Sequence, residues 1–224
     1  MKCDFHCHTF YSFDSNVSPQ KVVDKALKEG IDCLAITDHN EIQGSLEAME
    51  YAKGKPILII PGIEIKSKEG DILGINVKQK IPPRLSAKET IKRIKEQGGF
   101  VIIPHPFALF EKFKGNLKEI INEIDAIEVL NCSIFKRGNK IAQEFVKNMN
   151  IPFTVGSDSH SANFIGKCYF EIDGENLKIE EIFEKIRKKE IKIKGEEAKL
   201  SEKILDRLKR TFAKINHYVG RKKN

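Results

Sequence analysis

Short β-branched runs alternate with segments of helical periodicity along most of the chain, the pattern of βα units feeding a parallel sheet. Strands are predicted at 2–8, 32–37, 57–65, 100–104, 126–130 and 153–156, with a less regular pair at 72–77 and 168–172. Between them, apolar residues recur at helical spacing near 19–29, 41–53, 87–97, 116–123 and 138–149. Two more helices are predicted at about 178–189 and 199–216. Ser18-Pro19 reads as an N-cap followed by an N1 proline, and Ser86 with Glu89 as a capping box. Gly30 and Gly98-Gly99 stand where two helices need a residue of positive φ to end. There is no internal repeat, low-complexity stretch or flexible linker. Residues 1–195 are therefore expected to form one α/β barrel domain, and 196–224 a C-terminal basic helix and tail.

Composition narrows the class. The 224 residues are 40% hydrophobic and 32% charged, enough apolar material for a sizeable core in one domain. The apolar run Pro56-Ile57-Leu58-Ile59-Ile60 is too short to span a bilayer. Asp4, His6 and His8 stand where a leader would carry its apolar stretch, so a cytoplasmic protein with no membrane association is expected. Five scattered cysteines without a CxxC pair are expected to be reduced thiols. The net charge of +7 is uneven: residues 1–174 balance, and the whole excess lies in 175–224. Such a tail can bind nucleic acid. The simpler reading, adopted here, is a solvated amphipathic helix with a loose end at Arg221-Lys222-Lys223.

Five of the six histidines lie at or just beyond the C-terminal ends of predicted strands. Asp4-Phe5-His6-Cys7-His8 ends the first, Asp38-His39 follows the second, and Glu64 ends the third. His105 follows the fourth, Asn131 the fifth, and Asp158-Ser159-His160 the sixth. In a β/α barrel that rim is where successive loops build a site. Residues two apart on a strand share a face, so His6 and His8 can offer two imidazoles to one ion while Cys7 turns away. A lone histidine at a strand end is ordinarily a hydrogen-bonded structural residue; five at matching positions, with Glu64 and Asp158, are not explained that way. Imidazole with carboxylate suits Mn, Fe or Zn better than Mg or Ca. Donors are numerous enough for two or three divalent ions, a pair of which Glu64 can bridge. No phosphate-binding glycine loop is present.

These residues, in this order, resemble the PHP (polymerase and histidinol phosphatase) superfamily. The resemblance rests on Asp4-Phe5-His6-Cys7-His8-Thr9 with Tyr11-Ser12-Phe13-Asp14, Thr37-Asp38-His39, Gly62-Ile63-Glu64, Pro104-His105-Pro106 and Gly156-Ser157-Asp158-Ser159-His160. It covers roughly residues 2–172 and implies a distorted β/α barrel, commonly seven-stranded. It also implies His6, His8, Asp14, His39, Glu64, His105, Asp158 and His160 as metal ligands, and hydrolysis of phosphate monoesters or diesters, most like members acting on nucleotides or short oligonucleotides. Where the family has a histidine after the bridging glutamate, this chain has Asp71, an oxygen ligand in its place or a residue closing the turn after Gly70.

Glu64, His39 and His160 are the residues expected to serve catalysis, with a water attacking phosphorus and a histidine of the ligand sphere protonating the leaving alcohol. Asp38 and Asp4 are candidates to orient ligand histidines. Arg137 and Lys66 are candidate phosphate clamps, and Asn131 a pocket residue at its strand end. Two other readings stand beside this one. A catalytically weakened barrel could serve as a nucleic-acid-binding or ribonucleoprotein component through its basic C-terminal region. A metal-dependent hydrolase of C–N bonds could use the same H-x-H pair.

Overall fold

The computed structural model describes residues 1–221; the rest of the basic end expected at Arg221-Lys222-Lys223 lies outside the described residues. Both caps read from the sequence open helices. Ser18 Oγ accepts the Lys21 N–H at the start of α1 (Pro19–Lys28), and Ser86 Oγ accepts the Glu89 N–H at the start of α3 (Ala87–Glu96). Each helix then buries one stripe, Val22, Val23 and Ala26 in α1 and Ile91 and Ile94 in α3. Burial of each such branched side chain is worth roughly 1.5–3 kcal/mol.

The chain runs β1 (Lys2–Asp4), α1, β2 (Cys33–Ile36), α2 (Gln43–Tyr51), β3 (Leu58–Lys66), β4 (Asp71–Ile75), α3, β5 (Phe100–Ile103) and α4 (Leu117–Ile120). It continues with β6 (Ala126–Asn131), α5 (Lys136–Met149), β7 (Phe153–Gly156), β8 (Cys168–Glu171), α6 (Ile179–Arg187), β9 (Lys192–Gly195) and α7 (Leu200–Arg221). One sheet holds all nine described strands in the order β7-β6-β5-β4-β3-β2-β1-β8-β9. Beyond the end of β1, the Asp158 N–H donates to the His6 carbonyl at 2.7 Å and the His8 N–H to the Ser159 carbonyl at 3.0 Å. These bonds draw β1 and β7 together, so the sheet is nearly closed into a barrel.

The strand count and sheet direction correct the expectation of a seven-stranded parallel barrel. β1–β2–β3 and β5–β6–β7 are parallel, but β4 is inserted antiparallel between β3 and β5. A short turn joins β3 to β4, so no crossover helix reverses the chain. β8 and β9 add an antiparallel pair beside β1. β9 escaped prediction because all four of its residues are exposed and two are lysines, the composition of a protected sheet edge. The regular part of β1 ends at Asp4, short of the 2–8 predicted, and beyond it Cys7 makes only an isolated bridge to Ser159.

The core has three parts. Cys3, Phe5, Ile60, Ile75 and Ile102 belong to a cluster that α6 closes with Ile182, Phe183 and Ile186, Phe183 stacking on Phe100 at 4.4 Å. A second cluster packs α3 and α5 against β3 to β6, and a third packs α1 and α2 against β2 and β3 and includes Cys7. Cys132 and Cys168 form a disulfide, against the expectation of five reduced thiols. The barrel brings the end of β6 beside β8, a meeting of residues 36 apart that no local spacing announces. Among the described residues no helix is long and apolar enough to cross a membrane.

Candidate metal centre

The C-terminal rim of the barrel gathers the five histidines of the strand ends. His6 and His8 leave β1, His39 follows β2 and bridges to Glu64 on β3, His105 follows β5, and Asp158 and His160 follow β7. His6 Nε2 lies 3.5 Å from both Glu64 Oε2 and Asp158 Oδ1, and His8 Nε2 3.3 Å from the same two oxygens. His39 Nδ1 is 3.0 Å from Glu64 Oε2, His105 Nε2 3.4 Å from Glu64 Oε1, and His160 Nε2 3.3 Å from Asp14 Oδ1. Three groupings have ligand atoms within 4.8 Å of one another: His8, His39 and His160; His6, His8 and Asp158; and His6, Glu64 and His105. Glu64 and the pair His6 and His8 tie these groupings into one cluster.

Four of the rings are turned the same way. The His6 Nδ1 proton goes to Glu128 Oε1 at 3.0 Å, and the His8 Nδ1 proton to Ser12 Oγ at 3.0 Å, whose own hydroxyl donates to Asp38 Oδ1. His105 Nδ1 donates to the Glu111 carbonyl and His160 Nδ1 to the Asp158 carbonyl. In each case the lone pair of Nε2 faces the cluster, the arrangement by which outer hydrogen bonds orient metal-binding imidazoles. Asp38 thus acts through Ser12 and Thr9, and Asp4 accepts the backbone N–H groups of His6 and Ser157.

The inner atoms are left unmatched. Among the described residues, the buried side-chain atoms without a hydrogen-bond partner are Asp4 Oδ2, His6 Nε2, His8 Nε2, Asp14 Oδ1, both oxygens of Glu64, Asp71 Oδ1 and His160 Nε2. Buried polar atoms are ordinarily satisfied, and a concentration of unsatisfied nitrogen and oxygen donors around one point fits divalent cations. Electrostatics agree. Burial and the neighbouring His160 hold His8 well below the usual imidazole range. Burial works against charge on His105, but Glu64, Asp158 and Glu128 outweigh it and raise its pKa to about 9. Burial likewise opposes charge on Glu64 and Asp158, yet the surrounding imidazoles hold both carboxylates well below their ordinary values. Burial raises Asp4 to about 7. His105 and Asp158 also sit at positive φ, 31° and 50°, a backbone cost met where a side chain must be aimed.

Three expectations change. Lys66 is no free clamp: it faces Asp71 across the β3–β4 register, and its Nζ meets Asp71 Oδ2 at 3.0 Å. That pair also explains Asp71, since the turn after Gly70 is closed instead by Ser67, whose hydroxyl and backbone N–H both donate to the Gly70 carbonyl. Arg137 is exposed on the first turn of α5. The helix begins two residues earlier than its periodicity predicts, so Gly138 and Asn139 face inward and Arg137 does not. Asn131 is where expected, its side-chain amide donating to Glu128 Oε2 at 2.9 Å and Asp158 Oδ2 at 3.3 Å.

Two contributors were missed. Glu128 orients His6 and also accepts the His105 N–H at 2.9 Å; its signal was a lone carboxylate inside the apolar strand Ala126-Ile127-Glu128-Val129-Leu130. Arg210 comes from α7, within the segment 196–224 expected to be a basic helix and tail. Its Nη2 donates to Asp14 Oδ2 at 3.1 Å, and Lys214 Nζ lies 3.7 Å from the same oxygen. Nothing local distinguishes Arg210 from the other basic residues of that helix. Cys7 lies outside the cluster, as strand alternation predicts, packed with Val22 and Ile36.

A model of the PHP domain matches residues 4–222, α7 included. An uncharacterized protein of Methanocaldococcus jannaschii is 39% identical over 142 residues, 59% of this chain and 82% of that protein. A 5'-3' exoribonuclease of Haemophilus influenzae is 35% identical over 100 residues, 43% of this chain and 36% of that enzyme. Among solved structures, a two-domain protein of Bacteroides vulgatus, described as containing a predicted PHP-like metal-dependent phosphoesterase, superposes with a TM-score of 0.76 at 21% identity. That match covers 88% of this chain and 65% of the other.

Proposed function

The chain belongs to the PHP domain family, and from that premise we propose that it hydrolyses phosphate esters, with nucleotides or short oligonucleotides as its substrates, through two or three divalent ions (Mn, Fe or Zn). The observation that carries this reading is the ring of unpartnered buried donors around Glu64. In the reading, His6, His8, Asp14, His39, Glu64, His105, Asp158 and His160 would hold the ions, with Glu64, neither of whose oxygens has a hydrogen-bond partner, the residue they would share. Asp71 joins at the margin through Oδ1, its other oxygen being taken by Lys66. Bound there, divalent ions supply Lewis-acid stabilisation of the phosphoryl oxygens and an activated water.

The chain's own residues do the rest. Glu128, Ser12 and two backbone carbonyls engage the outward Nδ1 of four imidazoles, which fixes the rings in direction and leaves Nε2 as the nitrogen turned to the cluster. His39 is the one ring of the five that solvent reaches appreciably, its side chain 11% exposed, and Phe13 stacks on it at 5.0 Å. With His160 beside it, His39 is the histidine of the cluster that would protonate the departing alcohol. The exoribonuclease relative supports a nucleic-acid-derived ester as substrate. The test joins metal analysis of purified protein to a phosphate-release screen over nucleotides, sugar phosphates and short oligonucleotides. Stoichiometric Mn, Fe or Zn and phosphate release are expected, with Glu64→Gln losing metal and cutting turnover by a factor on the order of 10² or more. Absence of bound transition metal at neutral pH, or full turnover in Glu64→Gln, would overturn the reading.

A further inference from the structure

The open face of the cluster is covered by α7, which brings cations to it. Asp14 divides its carboxylate: Oδ1 points inward at His160 without a hydrogen bond, and Oδ2 receives Arg210. The Arg210 side chain is only 15% exposed, yet the bond to Asp14 is the only hydrogen bond its guanidinium makes among the described residues; Glu111 Oε1 is 3.8 Å away. A guanidinium has five donors in a planar fork that matches a phosphate. Here most of them are unspent, in a nearly dry position beside a predicted metal cluster.

The same helix forms the wall of a cavity of about 220 Å³ that reaches Asp158 and Arg210 at one end. Its other walls include Phe110, Phe135 and Phe164. The Arg207 guanidinium lies 4.4 Å over the Phe110 ring. Pockets for larger ligands run to roughly 300–1,000 Å³, so this one suits a small organic group better than a polymer strand. The wall is held in place: Ser161 Oγ donates to Asp206 Oδ1 at 2.8 Å, Lys167 pairs with Glu202 at 2.5 Å, and Lys203 Nζ donates to the Ile134 carbonyl at 2.5 Å.

We propose that α7 is the substrate-binding half of the site: Arg210, backed by Lys214, grips the phosphoryl group, and the adjoining cavity receives the esterified group, a small aromatic or apolar moiety such as a single base. The inference rests on the phosphoesterase reading and makes the C-terminal helix part of the active site. Arg210 lies outside the part of the chain that carries the metal motifs, so its grip on phosphate is separable from metal binding, while the cavity shares Asp158 with those motifs.

Titration of inorganic phosphate into the full-length, Mn-loaded protein by calorimetry tests it, with metal stoichiometry measured for every variant. Arg210→Ala is expected to keep its metal and weaken phosphate binding on the order of tenfold or more, as loss of a charge-assisted donor does. Arg210→Lys should recover part of that loss, and Lys214→Ala should weaken binding by a smaller factor. Phe110→Ala, at an exposed position, should leave phosphate binding unchanged but raise KM for phenyl phosphate more than for methyl phosphate. Phosphate affinity unchanged in metal-replete Arg210→Ala overturns the proposal, and so does loss of metal from that variant, which would make Arg210 a support for Asp14. Should Arg210→Ala not fold, Arg210→Lys and Lys214→Ala decide the same question. Wild-type protein that is full of metal but takes up no phosphate overturns the phosphoesterase reading along with this one.

Discussion

At the scale of the residue, the ligand histidines are only as good as the groups behind them. Glu128 is the clearest case, because one carboxylate fixes the His6 ring, the backbone at His105 and the Asn131 amide. Glu128→Gln keeps the shape and removes the charge, so the His6 Nδ1 proton loses an ionised acceptor. Metal affinity or turnover is expected to fall about 10–100-fold, with the melting temperature of the metal-free protein little changed. Metal titrations of the variant check this, and wild-type affinity would show Glu128 to be a bystander. The clustered histidines themselves were legible from residue type and spacing, because H-x-H and the strand-end positions are local facts. Glu128 was legible only as an oddity, a charge inside an apolar run, since its partners lie 23 and 122 residues away.

At the scale of the element, the strand ends must approach more closely than side chains ordinarily allow. Gly156 closes β7, and a Cβ there would stand 2.3 Å from His6 Cβ and 2.4 Å from Glu128 Oε1. Gly156→Ala is therefore expected to destabilise by about 1–3 kcal/mol, the usual cost of overpacking, and to displace His6 from the cluster. Denaturant melts together with metal analysis measure both effects; a variant of unchanged stability and full metal content would mean that β7 can yield. The helices α1 and α3 were readable to within a residue or two, because their caps and apolar stripes are written in consecutive positions. The antiparallel direction of β4 was not, because a run as short as Ile72-Leu73-Gly74-Ile75 carries no mark of its direction. The helix expected at 116–123 contracts to Leu117–Ile120, with the capping asparagine Asn116 in place but little apolar stripe to prolong it.

At the scale of the whole molecule, the barrel concentrates opposed charges that a metal would settle. In the metal-free protein His6 and His39 stand well above 6.5 and His105 at about 9, burial being outweighed by the facing carboxylates. Groups raised in the folded state stabilise it below their unfolded pKa and lose that contribution as pH rises through the folded value. Buried Asp4, raised to about 7, acts in the same direction. The stripped protein should thus lose stability between about pH 6.5 and 9. Metal binding runs the other way, since ions compete with protons for the same nitrogens. The gap in melting temperature between loaded and chelated protein is expected to widen over that range, and thermal melts at fixed metal concentration would show it; a constant gap would count against metal at these histidines. What the sequence by itself determined was the chemistry of the site, the alternation of strands and helices, and the family, because residue type, spacing and hydrophobic period are properties of the chain alone. Only the tertiary structure decided that α7 covers the site and delivers Arg210 to Asp14, that Lys66 is spent on Asp71, and that β1 meets β7 to gather the ligands. Those are contacts between distant segments, up to 196 residues apart, fixed by how the barrel closes, and no local pattern encodes them.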